Sequence, residues 1–275
     1  TAILGRLISL KAVPLVWYRL LVVVAVMAGV VAWRRLPFRV SRGLLARFAV
    51  AGTLVALHWV LFYGCIKYAG VAVAVLCLST GTFFTALLEP LIFRRAPRLG
   101  ELLIGALVTV GVSFLVKVEA GADLQGLAMG LASSLFAASF GTLNGQLARE
   151  SPGEVMTLYE LAVAGAVTTL FFLATPSDFV PPGALSARDA LLVVTLAIGC
   201  TVLPWLWSLR VLRTLSPYSL SLTVSLEPVY TMAVAWVLFP GSEQLTWRFY
   251  LGAGVLLVLV ALNTWLKRPY PGSAR

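Results

Sequence analysis

Charge is scarce in this 275-residue chain. Only 12% of its residues are Asp, Glu, Lys or Arg, against 60% apolar, and a soluble domain carries about twice that charged share. Apolar residues in such excess cannot all be buried in a water-soluble chain of this length, so most of the surface must face lipid. Histidine occurs once, at His58, which excludes HExxH and multi-histidine metal sites and most histidine-based hydrolase constellations. The three cysteines, Cys65, Cys77 and Cys200, lie in apolar runs without paired spacing and offer neither a disulfide framework nor a C-x-x-C metal site. No cofactor is implied. The net charge of +10 sits at the ends of apolar runs rather than on a polar face, which argues against nucleic acid as a partner.

What the chain has in quantity is long apolar runs. A membrane span needs about 20 such residues, and the pattern predicts spans at 13–33, 45–67, 70–93, 99–117, 125–148, 154–174, 189–212, 216–239 and 246–267. Residues 1–10 are too short to cross and resemble the second half of a tenth helix whose start is missing. Nothing resembles a cleavable signal peptide. One side of the resulting topology receives Arg34, Arg35, Arg39, Arg42 and Arg47; Arg94, Arg95 and Arg98; Arg149; Arg210 and Arg213; and Lys267, Arg268 and Arg275. The other side has Arg6, Lys11, Arg19, Lys67, Lys117, Arg188 and Arg248. The richer side is cytoplasmic by the positive-inside rule, which puts the C-terminus in the cytoplasm. The preponderance of Arg over Lys hints at a GC-rich bacterial genome, and so at a multi-pass protein of a bacterial inner membrane.

Ten helices with short loops suggest internal duplication. Laying 69–93 over 215–239 gives identities at Leu76/Leu222, Ser79/Ser225, Thr85/Thr231 and Phe93/Phe239. The following helices begin Ile104-Gly105-Ala106 and Leu251-Gly252-Ala253. With an odd number of helices per half, the second copy must be inverted in the membrane. The expected fold is an all-α integral membrane bundle, a ten-helix 5+5 inverted repeat with the first helix truncated, divided at 1–118 and 124–268.

The chain resembles the drug/metabolite transporter superfamily, and within it the EamA-type permeases. The likeness rests on Gly5-Arg6, Pro14 and Trp17-Tyr18-Arg19; on His58-Trp59 through Lys67-Tyr68; and on Leu78 to Thr82. In the second half it rests on Phe140 to Asn144, Tyr159-Glu160, Leu215-Ser216-Pro217, Leu226-Glu227-Pro228-Val229-Tyr230, and Glu243 leading into Tyr250 to Ala253. Glu89-Pro90 falls eight residues later in its repeat than Glu227-Pro228, so Gly81-Thr82 occupies the equivalent place. The resemblance implies transport of a small metabolite, often an amino acid, usually driven by an ion gradient.

Ionisable groups within a bilayer need a partner, a watery cavity or a task. Glu227 falls near the midplane of its span, and Pro228 beside it removes a backbone donor and is expected to bend the helix. His58 and Arg19 lie about 13 Å and 9 Å from the outer ends of their helices. His58 could exchange protons, and Arg19 could hold a carboxylate or snorkel to the headgroups. Asn144, Tyr159, Glu160 and Tyr230 add polar groups to a substrate or proton pathway, while Trp59, Trp205 and Trp207 offer aromatic surface. Glu89 is expected to pair locally with Arg94-Arg95. Gly126-x-x-x-Gly130 and Gly141-x-x-x-Gly145 are expected to pack helices within a monomer before serving a homodimer.

The leading expectation is a secondary active transporter, an exporter working by alternating access and coupled to protons. Its partners would be a small-molecule substrate and the bilayer. A non-transporting receptor or scaffold is the alternative. An intramembrane enzyme ranks lower: Gly111-Val112-Ser113 weakly resembles a membrane serine protease motif, but no confirming Gly follows Phe114.

Overall fold

The computed structural model describes residues 1–115, 124–174, 180–238 and 247–266. These residues contain no strand. The helices are α1 (Ala2–Leu7), α2 (Ala12–Trp33), α3 (Arg42–Ser79), α4 (Gly81–Ile92), α5 (Leu99–Leu115), α6 (Leu124–Leu147), α7 (Gly153–Ala174), α8 (Ala187–Ala197), α9 (Leu203–Val211), α10 (Pro217–Val224), α11 (Glu227–Leu238) and α12 (Trp247–Leu266). Among the described residues six stretches are long and apolar enough to cross a membrane: Ala12–Trp33, Arg42–Val71, Val73–Ile92, Leu124–Leu147, Gly153–Ala174 and Ala187–Val211. Leu99–Ser113 and Tyr250–Asn263 are shorter apolar helices. The chain is an all-helical, multi-pass membrane protein.

Helix starts follow local chemistry. Ser41, Ser186 and Ser216 cap α3, α8 and α10, each hydroxyl accepting the backbone N–H three residues on, which satisfies a donor the helix leaves free. Two helix ends at the arginine-rich side close alike. Arg35 and Arg94 adopt positive φ (53° and 49°), and the next residue donates back into the last turn, Leu36 N–H to Val31 O and Arg95 N–H to Pro90 O. These are left-handed caps built on arginine instead of glycine. Gly70, φ 86° and ψ 168°, makes the turn between the spans at 42–71 and 73–92, a conformation that side chains resist.

Three expected spans are helical yet interrupted. The span at 70–93 breaks at Thr80, between α3 and α4, and the span at 216–239 breaks at Ser225-Leu226, between α10 and α11. The span at 189–212 carries a π-helical turn at Ile198–Val202, between α8 and α9. Pro228 is therefore the second residue of a new helix rather than a bend inside a continuous one. Its missing N–H falls in the first turn, where donors have no intrahelical partner anyway.

Helices in lipid gain little from burying apolar surface and depend on close packing. The most extensive interface joins α3 to α6, followed by α3 and α2 against α7 and by α5 against α12. A Cβ added at Gly52 would lie 2.2 Å from Glu160 O, one at Gly130 2.7 and 3.0 Å from the sulfurs of Cys77 and Cys65, and one at Gly145 2.4 Å from the Pro217 ring. Gly126 likewise meets Ala69. Gly141 departs from the packing expected of it, with nothing within 4 Å of its would-be Cβ. Large apolar side chains left exposed, such as Leu103, Leu107 and Val110 on α5 and Leu170 and Leu173 on α7, suit contact with acyl chains.

Candidate substrate cavity

The breaks between α3 and α4 and between α10 and α11 meet. Thr82, in the first turn of α4, has its Oγ1 2.6 Å from Ser225 Oγ and 3.3 Å from Ser221 Oγ. In the overlay of 69–93 on 215–239, Ser79 matches Ser225 and Gly81 matches Glu227, so the interruptions fall at corresponding places. Broken helices expose backbone polar groups that lipid cannot satisfy, and they persist where they line a cavity. A cavity of about 310 Å³ lies there, lined by Ser79, Gly81, Thr85, Ser221, Ser225 and Glu227 at the breaks. Arg19 on α2, His58 and Trp59 on α3, Phe140 and Gly141 on α6 and Trp205 on α9 complete much of its wall.

Arg19 is 3% exposed. Its Nε donates to Thr201 Oγ1 at 2.7 Å, its Nη1 donates to Tyr63 OH at 3.0 Å, and the guanidinium lies 3.8 Å from the centre of the Trp59 ring. The side chain does not snorkel: it is held inside the bundle and makes no ion pair among the described residues. An arginine has five N–H donors, so after two hydrogen bonds the others remain for a ligand. The π turn sets this contact, because Thr201 lies within it and its hydroxyl also donates to Leu196 O. Such turns recur at functional sites.

His58 is held by helix 6. Its Nδ1 is 2.9 Å from both Ser133 O and Ser133 Oγ, and the same hydroxyl lies 3.0 Å from His58 O. The ring packs beside Phe62 and Phe140. Phe140 stacks on Trp205 at 5.4 Å, and Trp205 meets Trp59 edge to face at 5.8 Å. Three aromatic rings and one guanidinium thus line the same cavity as the hydroxyls and Glu227. Glu227 makes no hydrogen bond or ion pair among the described residues.

Five of the residues expected from the sequence, Arg19, His58, Trp59, Trp205 and Glu227, therefore share one cavity. The others do not line it. Tyr230 on α11 is largely exposed, as is Trp207. Tyr159 donates its hydroxyl to Phe38 O and stacks on Phe48 near the arginine-rich end. Asn144 and Glu160 are fully buried against each other, with Asn144 Nδ2 donating to Glu160 Oε2 at 3.2 Å. Tyr63, Thr201, Ser133 and Ser221 were not expected, and no motif marks them. Ser225 had a signal in its repeat identity with Ser79. Glu243 lies outside the described residues.

Glu89 pairs as expected, though with more partners. Its Oε1 lies 3.2 Å from Arg95, and its Oε2 accepts the backbone N–H of Tyr218 in the first turn of α10. Arg95 also binds Glu101 on α5 at 2.5 Å. Burial works against the Arg95 charge, but the hydrogen bond and fields of Glu101 and Glu89 prevail and hold that guanidinium above its usual range. This network ties the ends of α4, α5 and α10 together at the arginine-rich side. Ser113 donates to Val110 O within its own helix and His58 is engaged by Ser133, so the expected weak protease likeness gains no dyad.

Residues 124–265 match the model of the EamA-like transporter family. The match spans more than half the chain, and the chain belongs to that family, within the drug/metabolite transporter superfamily. It is a membrane transporter of that type. No curated protein matches. Among solved structures, 27 chains match. One, titled only "Crystal structure of protein", superposes with a TM-score of 0.74 at 16% identity, covering 94% of this chain and 90% of that one. At that identity the likeness speaks for the fold alone.

Proposed function

We propose that the chain is a secondary active exporter of a small metabolite such as an amino acid, built from two inverted repeats at 1–118 and 124–268. The repeats rock around the cavity and expose it to each face in turn. The observation that supports this reading most is the convergence of Arg19, His58, Trp59 and Glu227 on a cavity formed where two helices break at corresponding positions. Arg19 offers spare donors to a substrate carboxylate, the rings of Trp59, Phe140 and Trp205 offer an apolar surface, and Glu227 exchanges a proton. Coupling follows if the protonated and ionised forms favour different states of the carrier. The arginine-rich side faces the cytoplasm, in a bacterial inner membrane, with the chain acting as a monomer or homodimer.

The test is substrate-driven pH change inside proteoliposomes, using a panel of amino acids and small metabolites and comparing wild type with Glu227→Gln. Proton movement that accompanies one class of substrate and disappears in the variant is the expected result. Wild-type proton movement and pH profile in Glu227→Gln overturns the coupling role. An absence of flux across the panel overturns the carrier reading in favour of a receptor.

A further inference from the structure

Glu160 is a fully buried acid that the central cavity does not use. It is the eighth residue of α7, about 10 Å from the start of that helix at 1.5 Å per residue, and it is 0% exposed. Its surroundings on α3 and α6 are apolar: Phe48, Ala51 and Leu147 lie in the adjoining cluster, and Gly52 abuts the Glu160 carbonyl. The charged groups of the neighbouring helices are engaged or directed elsewhere. Arg34 pairs with Glu154, Arg47 with Glu150, and Arg213 binds the carbonyls of Ala148 and Ser151. Arg42 and Arg210 are exposed, and Arg19 and Lys67 lie towards the other end of their helices with their own partners.

Among the described residues the sole hydrogen bond to the Glu160 carboxyl comes from the Asn144 amide. Two buried atoms of this pair have no partner, Glu160 Oε1 and Asn144 Oδ1. Both are acceptors if Glu160 is ionised, and two buried acceptors cannot satisfy each other. A charged carboxylate there would have one neutral donor and no counter-ion, which is a costly arrangement in an apolar interior. A proton on Glu160 removes both difficulties. It neutralises the acid, and it gives the pair the donor that its two orphaned oxygens lack.

We infer that Glu160 and Asn144 form a second proton-binding site, separate from Glu227, occupied in this conformation and closed to water. Its position relates it to transport. Asn144 is one helical turn from Gly141, which lines the cavity, and Gly145 beside it packs on Pro217 at the start of α10. Movement of α10 away from α6 would open the floor of the cavity next to this pair and let its proton leave towards the arginine-rich side. The bound proton is independent of the carrier reading, whereas its role in coupling rests on that reading.

Infrared spectra of the full chain in lipid nanodiscs test the bound proton without any transport. At neutral pH Glu227→Gln is expected to show the carbonyl band of a protonated, water-shielded carboxyl, and the double variant Glu160→Gln with Glu227→Gln is expected to lack it. Glu227→Gln without such a band, or a band that survives in the double variant, overturns the site. Should Glu160→Gln fail to assemble, Asn144→Ser serves instead, where loss of the amide must shift the band and an unshifted band counts against the pair. Glu160→Gln keeps an amide–amide pair, so a merely structural role predicts wild-type proton stoichiometry in proteoliposomes. A coupling role predicts substrate counterflow retained with proton movement lost. Wild-type stoichiometry in Glu160→Gln together with its loss in Glu227→Gln would sink this role and leave the reading of the central cavity intact.

Discussion

Thr82 Oγ1 and Ser225 Oγ, 143 residues apart in sequence, meet at 2.6 Å, and this bond joins the interrupted regions of two helical segments. In alternating access the two segments must separate on one side of this point and approach on the other. A cross-link at the junction should therefore arrest the cycle. The double substitution Thr82→Cys and Ser225→Cys is expected to retain measurable flux when reduced and to lose most of that flux on oxidation, with recovery on adding reductant. Undiminished flux in the oxidised, demonstrably cross-linked protein would mean that the junction does not move.

Arg19 separates binding from folding. Charge-assisted hydrogen bonds contribute about 1.5–3 kcal/mol, so Arg19→Gln should weaken apparent affinity for a carboxylate-bearing substrate by about 10- to 100-fold. Arg19→Lys keeps the charge but loses the planar stack on Trp59 and the fork that reaches Thr201 and Tyr63. Its affinity should fall between the two. Competition by a substrate amide in place of the acid provides the check: wild type should discriminate strongly, and Arg19→Gln should hardly discriminate at all.

The glycines divide into two kinds with opposite consequences. A methyl at Gly52 meets the Glu160 carbonyl at 2.2 Å, and backbone cannot step aside as a flexible side chain does. Gly52→Ala should lower the thermal midpoint in detergent clearly, since overpacking typically costs about 1–3 kcal/mol. A methyl at Gly141 meets nothing within 4 Å yet enters the cavity wall. Gly141→Ala should leave the midpoint unchanged, and Gly141→Leu should reduce flux of larger substrates before smaller ones. Equal midpoints for Gly52→Ala and wild type would contradict the close approach of α3 and α7.

Helical spans were legible because lipid imposes one rule, about 20 apolar residues per crossing, and every expected span is mostly helical over its described residues, three of them with an interruption. Interruptions were not. Thr80 and Ser225-Leu226 have no breaker among them, and the tertiary bond of Thr82 with Ser225 lies far off in sequence. Pro228 drew attention to the right place for the wrong reason, since it starts a helix instead of bending one. Among site residues, charge in an apolar run revealed Arg19, His58 and Glu227. Tyr63 and Thr201 escaped notice because their importance comes from what Arg19 touches. Tyr159 is polar enough to suggest a pathway, but its hydroxyl is consumed by Phe38 O.

The π turn at Ile198–Val202 makes this segment one residue longer than a plain α-helix of the same course would be. Each residue rotates a helix by about 100°, so the surplus residue swings everything after it. Trp205, which lines the cavity, follows that offset, and Thr201, which meets Arg19, lies inside it. Spacing here counts for as much as side-chain identity. An aligner that respects structure would have to open a one-residue gap against any relative with an unbroken helix, and a conservative point substitution would do less harm there than deleting one small residue such as Gly199.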